Sequence, residues 1–253
     1  MKPIFQIFTF LLLNFSMFAQ NRFRQTVDPQ NYILPNQLND FQSYDFSSVF
    51  VNLNFYYVQG VIGDDFQRIQ MKIISAEKDT KNPNIYHLKG KSKVINNIVP
   101  FSGDLTLNAL FLIKDIPTEE NLNNIAHQGV ITGSYWFKEP KKGQHSGVFK
   151  GNYEGKFQIS DENKVTLNDL DLFSDLYINN IFNGTWETYD KKLKMICKWG
   201  DFRVPDVPST FDLGAGEFSP NEKYNTKGWG NYNNAFLRNN VKAIELEETE
   251  WWK

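Results

Sequence analysis

A single cysteine, Cys197, occurs in 253 residues. Without a partner it forms no internal disulfide, so burial has to hold this fold together. Its position in phase with Met195 and Trp199 reads as a buried structural thiol rather than a nucleophile. Positive charge is not in excess either: 27 Lys and Arg stand against 29 Asp and Glu, a formal net charge of −2. Nucleic acid rewards clustered Lys and Arg, so no nucleic-acid partner is expected, and the balance offers no attraction to anionic membranes. Histidine is scarce: His87, His127 and His145 are the three. None pairs at metal-ligand spacing, and neither His-Glu-x-x-His nor Gly-x-Ser-x-Gly is present. No catalytic, metal or cofactor motif stands out, so the reading leans away from an enzyme, with no cofactor.

Long apolar runs are confined to the N-terminus. Lys2 supplies a positive start, Ile4 to Leu13 is apolar except for Gln6 and Thr9, and Ser16-Met17-Phe18-Ala19 precedes Gln20. These are the three parts of a cleavable signal peptide over residues 1–19, although Met17 is bulkier than the residue usual there. The run is shorter than the ~20 residues a bilayer-spanning helix needs, and Asn14 interrupts it. No cysteine follows it to accept a lipid. The expectation is an exported protein, periplasmic or extracellular after cleavage near Ala19-Gln20, with no transmembrane span after cleavage.

Aromatic residues are plentiful at 15%, with Phe most frequent at 22 residues. Residues 20–47 carry Pro29 and Pro35 and no sustained period; they read as an N-terminal arm lying on the surface or crossing one end of the fold. From Ser48 apolar residues recur at every second position, the signal of strands. Eight strands are predicted, at 48–59, 66–76, 85–95, 99–113, 128–138, 146–159, 181–189 and 192–199. The sixth alternates most clearly: Gly147, Phe149, Gly151, Tyr153, Gly155 and Phe157 share one face, Lys150, Asn152, Glu154 and Lys156 the other. In the fourth, Phe101, Leu105, Leu107, Ala109 and Phe111 are in phase. Pro140-Lys141-Lys142-Gly143 reads as an ordinary hairpin loop. Helical signals are thin, with short candidates at 116–126 and 167–177. Strands joined by short polar turns predict an antiparallel up-and-down meander.

Glycine alternating with Phe or Tyr relieves crowding on a concave face and lets a sheet curve. Glycine weakens a strand, so several in one phase answer a geometric need, and closing the sheet is such a need. The predicted fold is mainly β: a closed or nearly closed barrel over 48–200 with irregular N- and C-terminal extensions, the alternative being a β-sandwich. An outer-membrane barrel fits less well, because the faces opposite the aromatics carry Lys89, Lys91, Lys150, Glu154, Lys156, Lys194 and Lys198 where lipid would lie. Asn183-Gly184-Thr185-Trp186, the eight-strand meander and the glycine–aromatic alternation together resemble the calycin-type barrels, lipocalins and avidins among them. In lipocalins that Trp belongs to the first strand, whereas here it falls in the seventh. The resemblance implies the barrel architecture and no binding residues.

The acidic stretch from Asp161-Glu162 through Asp169 and Asp171 to Asp175 could offer oxygen ligands, but it lacks the order and glycine of an EF-hand and reads as a solvated loop. Paired carboxylates could serve glycoside hydrolysis only at a defined separation, which the spacing does not supply. Gly214, Gly216 and Gly228-Trp229-Gly230 precede no strand-to-helix junction of the kind that cradles phosphate. Residues 201–253 instead carry Phe211, Leu213, Phe218, Tyr224, Trp229, Tyr232 and Phe236, predicting an extension packed on the barrel. A short acidic amphipathic helix is predicted within 237–250, and Trp251-Trp252 is expected to dock. The functional expectation is a non-catalytic binding module for a small apolar or sugar-like ligand held among Trp136, Tyr153, Trp186 and Trp199. The alternative is an envelope protein that binds a protein partner through its outer surface; an extracellular hydrolase stands third.

Overall fold

The computed structural model describes residues 33, 35–51, 58–114, 124–141, 146–168 and 177–253. The predicted signal peptide lies outside the described residues, as do 116–123 of the first helical candidate and 169–176 of the second. Nine strands make one antiparallel sheet: β1 (Val58–Ile62), β2 (Gln67–Lys78), β3 (Ile85–Val94), β4 (Asn97–Leu112), β5 (Ile125–Lys138), β6 (Gly147–Ser160), β7 (Val165–Leu167), β8 (Asn179–Thr188) and β9 (Lys194–Asp201). β1 pairs with β9 and β5 with β6, so eight strands close into a barrel. The short β7 lies outside the ring, against the end of β6. Closure leaves no free edge in the ring for another chain to extend.

The inward phase of β6 is the predicted one: Phe149, Tyr153, Phe157 and Ile159 are buried in the core. Gly151 and Gly184 sit directly opposite each other on β6 and β8. A Cβ on Gly184 would come within 2.7 Å of both the Gly151 Cα and the Tyr135 hydroxyl. The glycine pair therefore makes room for the Tyr135 side chain reaching from β5. Register shifts in β2, β4, β5 and β8 mark bulges, which bend strands and help a small barrel close.

Three local expectations are corrected. The bulge between Leu107 and Ala109 reverses the phase of β4, so Leu110 and Leu112 enter the core while Phe111 packs outside with Val130. The predicted strand at 48–59 starts instead as a short helix, α1 (Ser47–Phe50), and its last residues, from Val58, belong to β1; 52–57 lie outside the described residues. Phe46, Val49 and Phe50 have helical spacing, and all three are buried. The predicted helix at 116–126 gives way at its end to β5, which starts at Ile125.

α1 plugs one end of the barrel. Phe46 meets Phe157 edge-on, and Phe50 does the same with Tyr86 and Tyr153. Polar bonds fix the plug: Phe46 N–H donates to the Tyr86 hydroxyl at 3.2 Å, and Asn180 Nδ2 donates to the Val49 carbonyl at 2.9 Å. The described part of the N-terminal arm crosses this end, with Leu38 and Phe41 buried in the same core.

The C-terminal extension packs on the outer face of β1 and β2. Phe211, Phe218 and Trp229 form a second core with Val61, joined by Phe66, Tyr224 and Tyr232. Leu213 and Phe236, predicted to join it, are exposed. The chain continues through α2 (Gly230–Tyr232) and a π-helical turn to α3 (Val241–Glu247), which the Asn240 side chain caps by accepting from Ala243 N–H. Trp251 and Trp252 dock, with Lys93 and Lys72 respectively over their rings.

Candidate functional site

With one end plugged, the interior is layered. The middle is a packed aromatic belt: Trp199 stacks on Phe182, and Tyr135 and Phe149 meet Trp199 edge-on. At the end opposite α1 the side chains no longer fill the ring. A half-open cavity of about 860 Å³ lies there, lined by apolar residues including Ile62, Ile69, Val94, Phe149, Trp186 and Met195 and by the polar Asp65, Gln67, Ser92, Asn97, Glu139 and Ser146. That size falls within the range of small-molecule sites, about 300–1,000 Å³.

Glu139 is the unusual member. It follows β5 in the inward phase of Tyr135 and Phe137, and it is only 5% exposed. Its Oε2 accepts the Gly147 N–H at 2.8 Å and the Trp186 indole Nε1–H at 2.9 Å. Its Oε1 lies 3.3 Å from the Ser92 hydroxyl, which also lies 3.4 Å from the Val99 carbonyl. Ser92 has one proton and can serve only one of those acceptors at a time. All three partners of the carboxyl among the described residues are neutral. Burial pushes the Glu139 carboxyl above its usual range, opposed by the bonds from Trp186, Gly147 and Ser92. A protonated Glu139 can donate to Ser92 Oγ, which then donates to Val99.

That shift has a sign that can be tested. A carboxyl whose folded value is raised contributes most to stability below its unfolded value, near 4.5, and loses that contribution as pH rises through the folded value. Among the described residues, the titratable groups around it are Asp65 on the cavity rim, the buried Cys197 thiol and Tyr189, whose hydroxyl donates to the Glu139 carbonyl and whose ring lies near Lys141. Urea melts of Glu139→Gln and wild type across pH 4–8 separate Glu139 from them. The stability of wild type is expected to fall relative to the variant as pH rises; parallel profiles would contradict the assignment.

The C-terminal extension holds the rim of the cavity. Phe66, at the β1–β2 turn, has φ +56°, a left-handed conformation rare for a bulky residue. Its ring stacks on Phe211 at 4.8 Å, and its carbonyl accepts Trp229 Nε1–H at 2.9 Å. Next to it, Gln67 donates to the Lys227 carbonyl, and Lys227 pairs with Asp65. Both Asp65 and Gln67 line the cavity.

The four predicted ligand aromatics are not brought together. Trp186 lines the cavity. Trp199 lies in the packed belt beside Phe149, and Tyr153 faces the plugged end, where its hydroxyl donates to Asn180 at 2.7 Å. Trp136 is 50% exposed on the outer face, under the Lys138 ammonium. Glu139 and Ser92 were not among the predicted site residues.

Other candidate chemistry dissolves into structure. His87 bridges two carboxylates on the outer surface, Nδ1 to Asp104 at 2.7 Å and Nε2 to Asp79 at 2.9 Å. Those bonds raise its pKa and help lower that of Asp79 to about 2. Asp79 also accepts from the backbone of Lys81 and Asn82, so the arrangement braces the β2–β3 turn. Cys197 is buried, and burial pushes its thiol up, away from nucleophilic use. No cluster of three metal-ligating side chains occurs among the described residues. Asp169, Asp171, Asp175 and His145 lie outside the described residues. No described helix is long and apolar enough to cross a membrane.

Comparison with known proteins yields no relative: no family model, no curated protein and no solved structure matches the chain.

Proposed function

We propose that this protein is an exported, non-catalytic binding protein that takes a small, predominantly apolar ligand into the open end of its barrel. The observation that carries this is the cavity of about 860 Å³, walled by aliphatic and aromatic side chains with a few polar groups set among them. Apolar walls with sparse, fixed polar groups are the usual composition of small-molecule sites. The barrel's resemblance to calycins is in keeping with a ligand held at one end.

Calorimetric titration with n-decanol, below its solubility limit, tests the reading. Saturable binding of one molecule per chain is expected. A protein that takes up no decanol would sink the cavity reading and favour a role for the outer surface and extensions. Export is supported by the pattern of Met1–Ala19. N-terminal sequencing of the protein from its native host is expected to begin near Gln20; an intact Met1 in membrane fractions would contradict it.

A further inference from the structure

The two ionisable side chains on the cavity wall are Asp65 and Glu139, and among the described residues no Lys, Arg or His lines it. Asp65 is paired with Lys227 at the exposed rim. Glu139 is buried, and its partners are three neutral donors. A buried carboxylate without a cation is held at a cost, since neutral hydrogen bonds replace only part of its hydration. Two of its donors crowd Oε2, while among the described residues Oε1 has only Ser92, a donor it shares with Val99. In its ionised form the carboxyl has both acceptor capacity and negative charge left over, on the wall of a mainly apolar cavity.

On the basis of that cavity reading, we infer that the site selects an apolar molecule carrying a single basic nitrogen, with Glu139 as its counter-ion. An ammonium group supplies what Glu139 lacks, a positive charge and a strong donor for Oε1, and charge-assisted hydrogen bonds are roughly twice as strong as neutral ones. An alcohol supplies the donor without the charge. A carboxylate adds a second negative charge beside the first, with no Lys, Arg or His among the described wall residues to offset it. The apolar walls accept the hydrocarbon of all three equally, so the head group decides. Discrimination built this way is both attraction of one ligand and exclusion of another.

The test holds the hydrocarbon constant and changes the head group. Wild type and Glu139→Gln are titrated at pH 7 with n-decylamine and n-decanoate, each below its micellar concentration, and with n-decanol below its solubility limit. Glutamine reproduces the shape of the protonated acid and keeps an acceptor for Gly147 and Trp186, and a thermal melt checks that it folds. Wild type is expected to bind the amine roughly tenfold or more tighter than the alcohol, with decanoate weakest. In Glu139→Gln the advantage of the amine is expected to vanish while decanol binding persists. Equal affinity for amine and alcohol, preference for decanoate, or an amine advantage that survives in Glu139→Gln would each overturn the counter-ion while leaving the cavity reading standing. Failure of all three probes would overturn both.

Discussion

Arg68→Ala is expected to destabilise the protein by about 3–5 kcal/mol, because it strands a buried carboxylate. Arg68 lies on β2, pointing outward under the C-terminal extension. Its guanidinium forms a two-pronged pair with Glu247 of α3, Nη1 to Oε1 at 2.9 Å and Nη2 to Oε2 at 2.6 Å. Both side chains are nearly closed off, at 7% and 3% exposure. Gln59 accepts from Arg68 Nε, Asn231 donates to Glu247, and the guanidinium lies 5.3 Å from the rings of both Trp229 and Tyr232. Such a pair gains little over well-packed apolar residues, yet losing half of it is costly. Arg68→Met combined with Glu247→Leu should therefore cost much less than Arg68→Ala. Urea melts of the three proteins measure this. If Arg68→Ala falls within about 0.5 kcal/mol of wild type, as ordinary surface changes do, the extension is not integral to the fold.

Trp199→Ala is expected to cost a comparable 3–5 kcal/mol or so, the range for truncating a large buried aromatic. Trp199 is 1% exposed and stacks on Phe182 with ring centroids 4.9 Å apart. Its indole N–H has no hydrogen-bond partner among the described residues. Packing alone therefore carries the loss, and Trp199→Phe should recover a good part of it. Trp136→Ala, on the outer face, should stay within about 0.5 kcal/mol of wild type. Chemical denaturation of the three variants separates belt from surface, and a Trp136 effect as large as that of Trp199 would contradict the placement of both.

The barrel was legible because alternation is a local property. Gly147 to Phe157 declares its inward face without reference to any other strand, and glycine in that phase signals curvature. Where a bulge intervenes, alternation misleads: nothing in the sequence marks the slip between Leu107 and Ala109 that turns Phe111 outward. Phe46, Val49 and Phe50 were legible in principle, but a three-residue helical spacing next to a β-rich text is outweighed by its neighbours.

The site was less legible, and for two different reasons. Trp136 could have been excluded, since Tyr135 and Phe137 occupy the inward phase on either side of it. Glu139 could have been found by the same rule, because it extends the phase of Tyr135 and Phe137 past the end of β5; a carboxylate continuing an aromatic inward row is the signal. The boundary between packed belt and open cavity, by contrast, depends on which strands face each other across the barrel. Trp186 and Trp199 both point inward, and only the register of β8 and β9 puts one on the cavity and the other beneath it. Arg68 reads as an ordinary outward cation until the extension is laid over it.

The six tryptophans mark six places on the molecule, and their indole N–H signals report on each in a ¹H–¹⁵N spectrum. Trp186 lines the cavity and donates to Glu139; Trp199 lies in the belt; Trp229, Trp251 and Trp252 belong to the extension, and Trp136 to the outer face. Titration of the ¹⁵N-labelled protein with n-decanol is expected to shift the Trp186 signal most, with any smaller response at Trp199 and none at Trp136, Trp251 and Trp252. Shifts at the outer tryptophans with Trp186 unmoved would contradict a ligand site at the open end of the barrel.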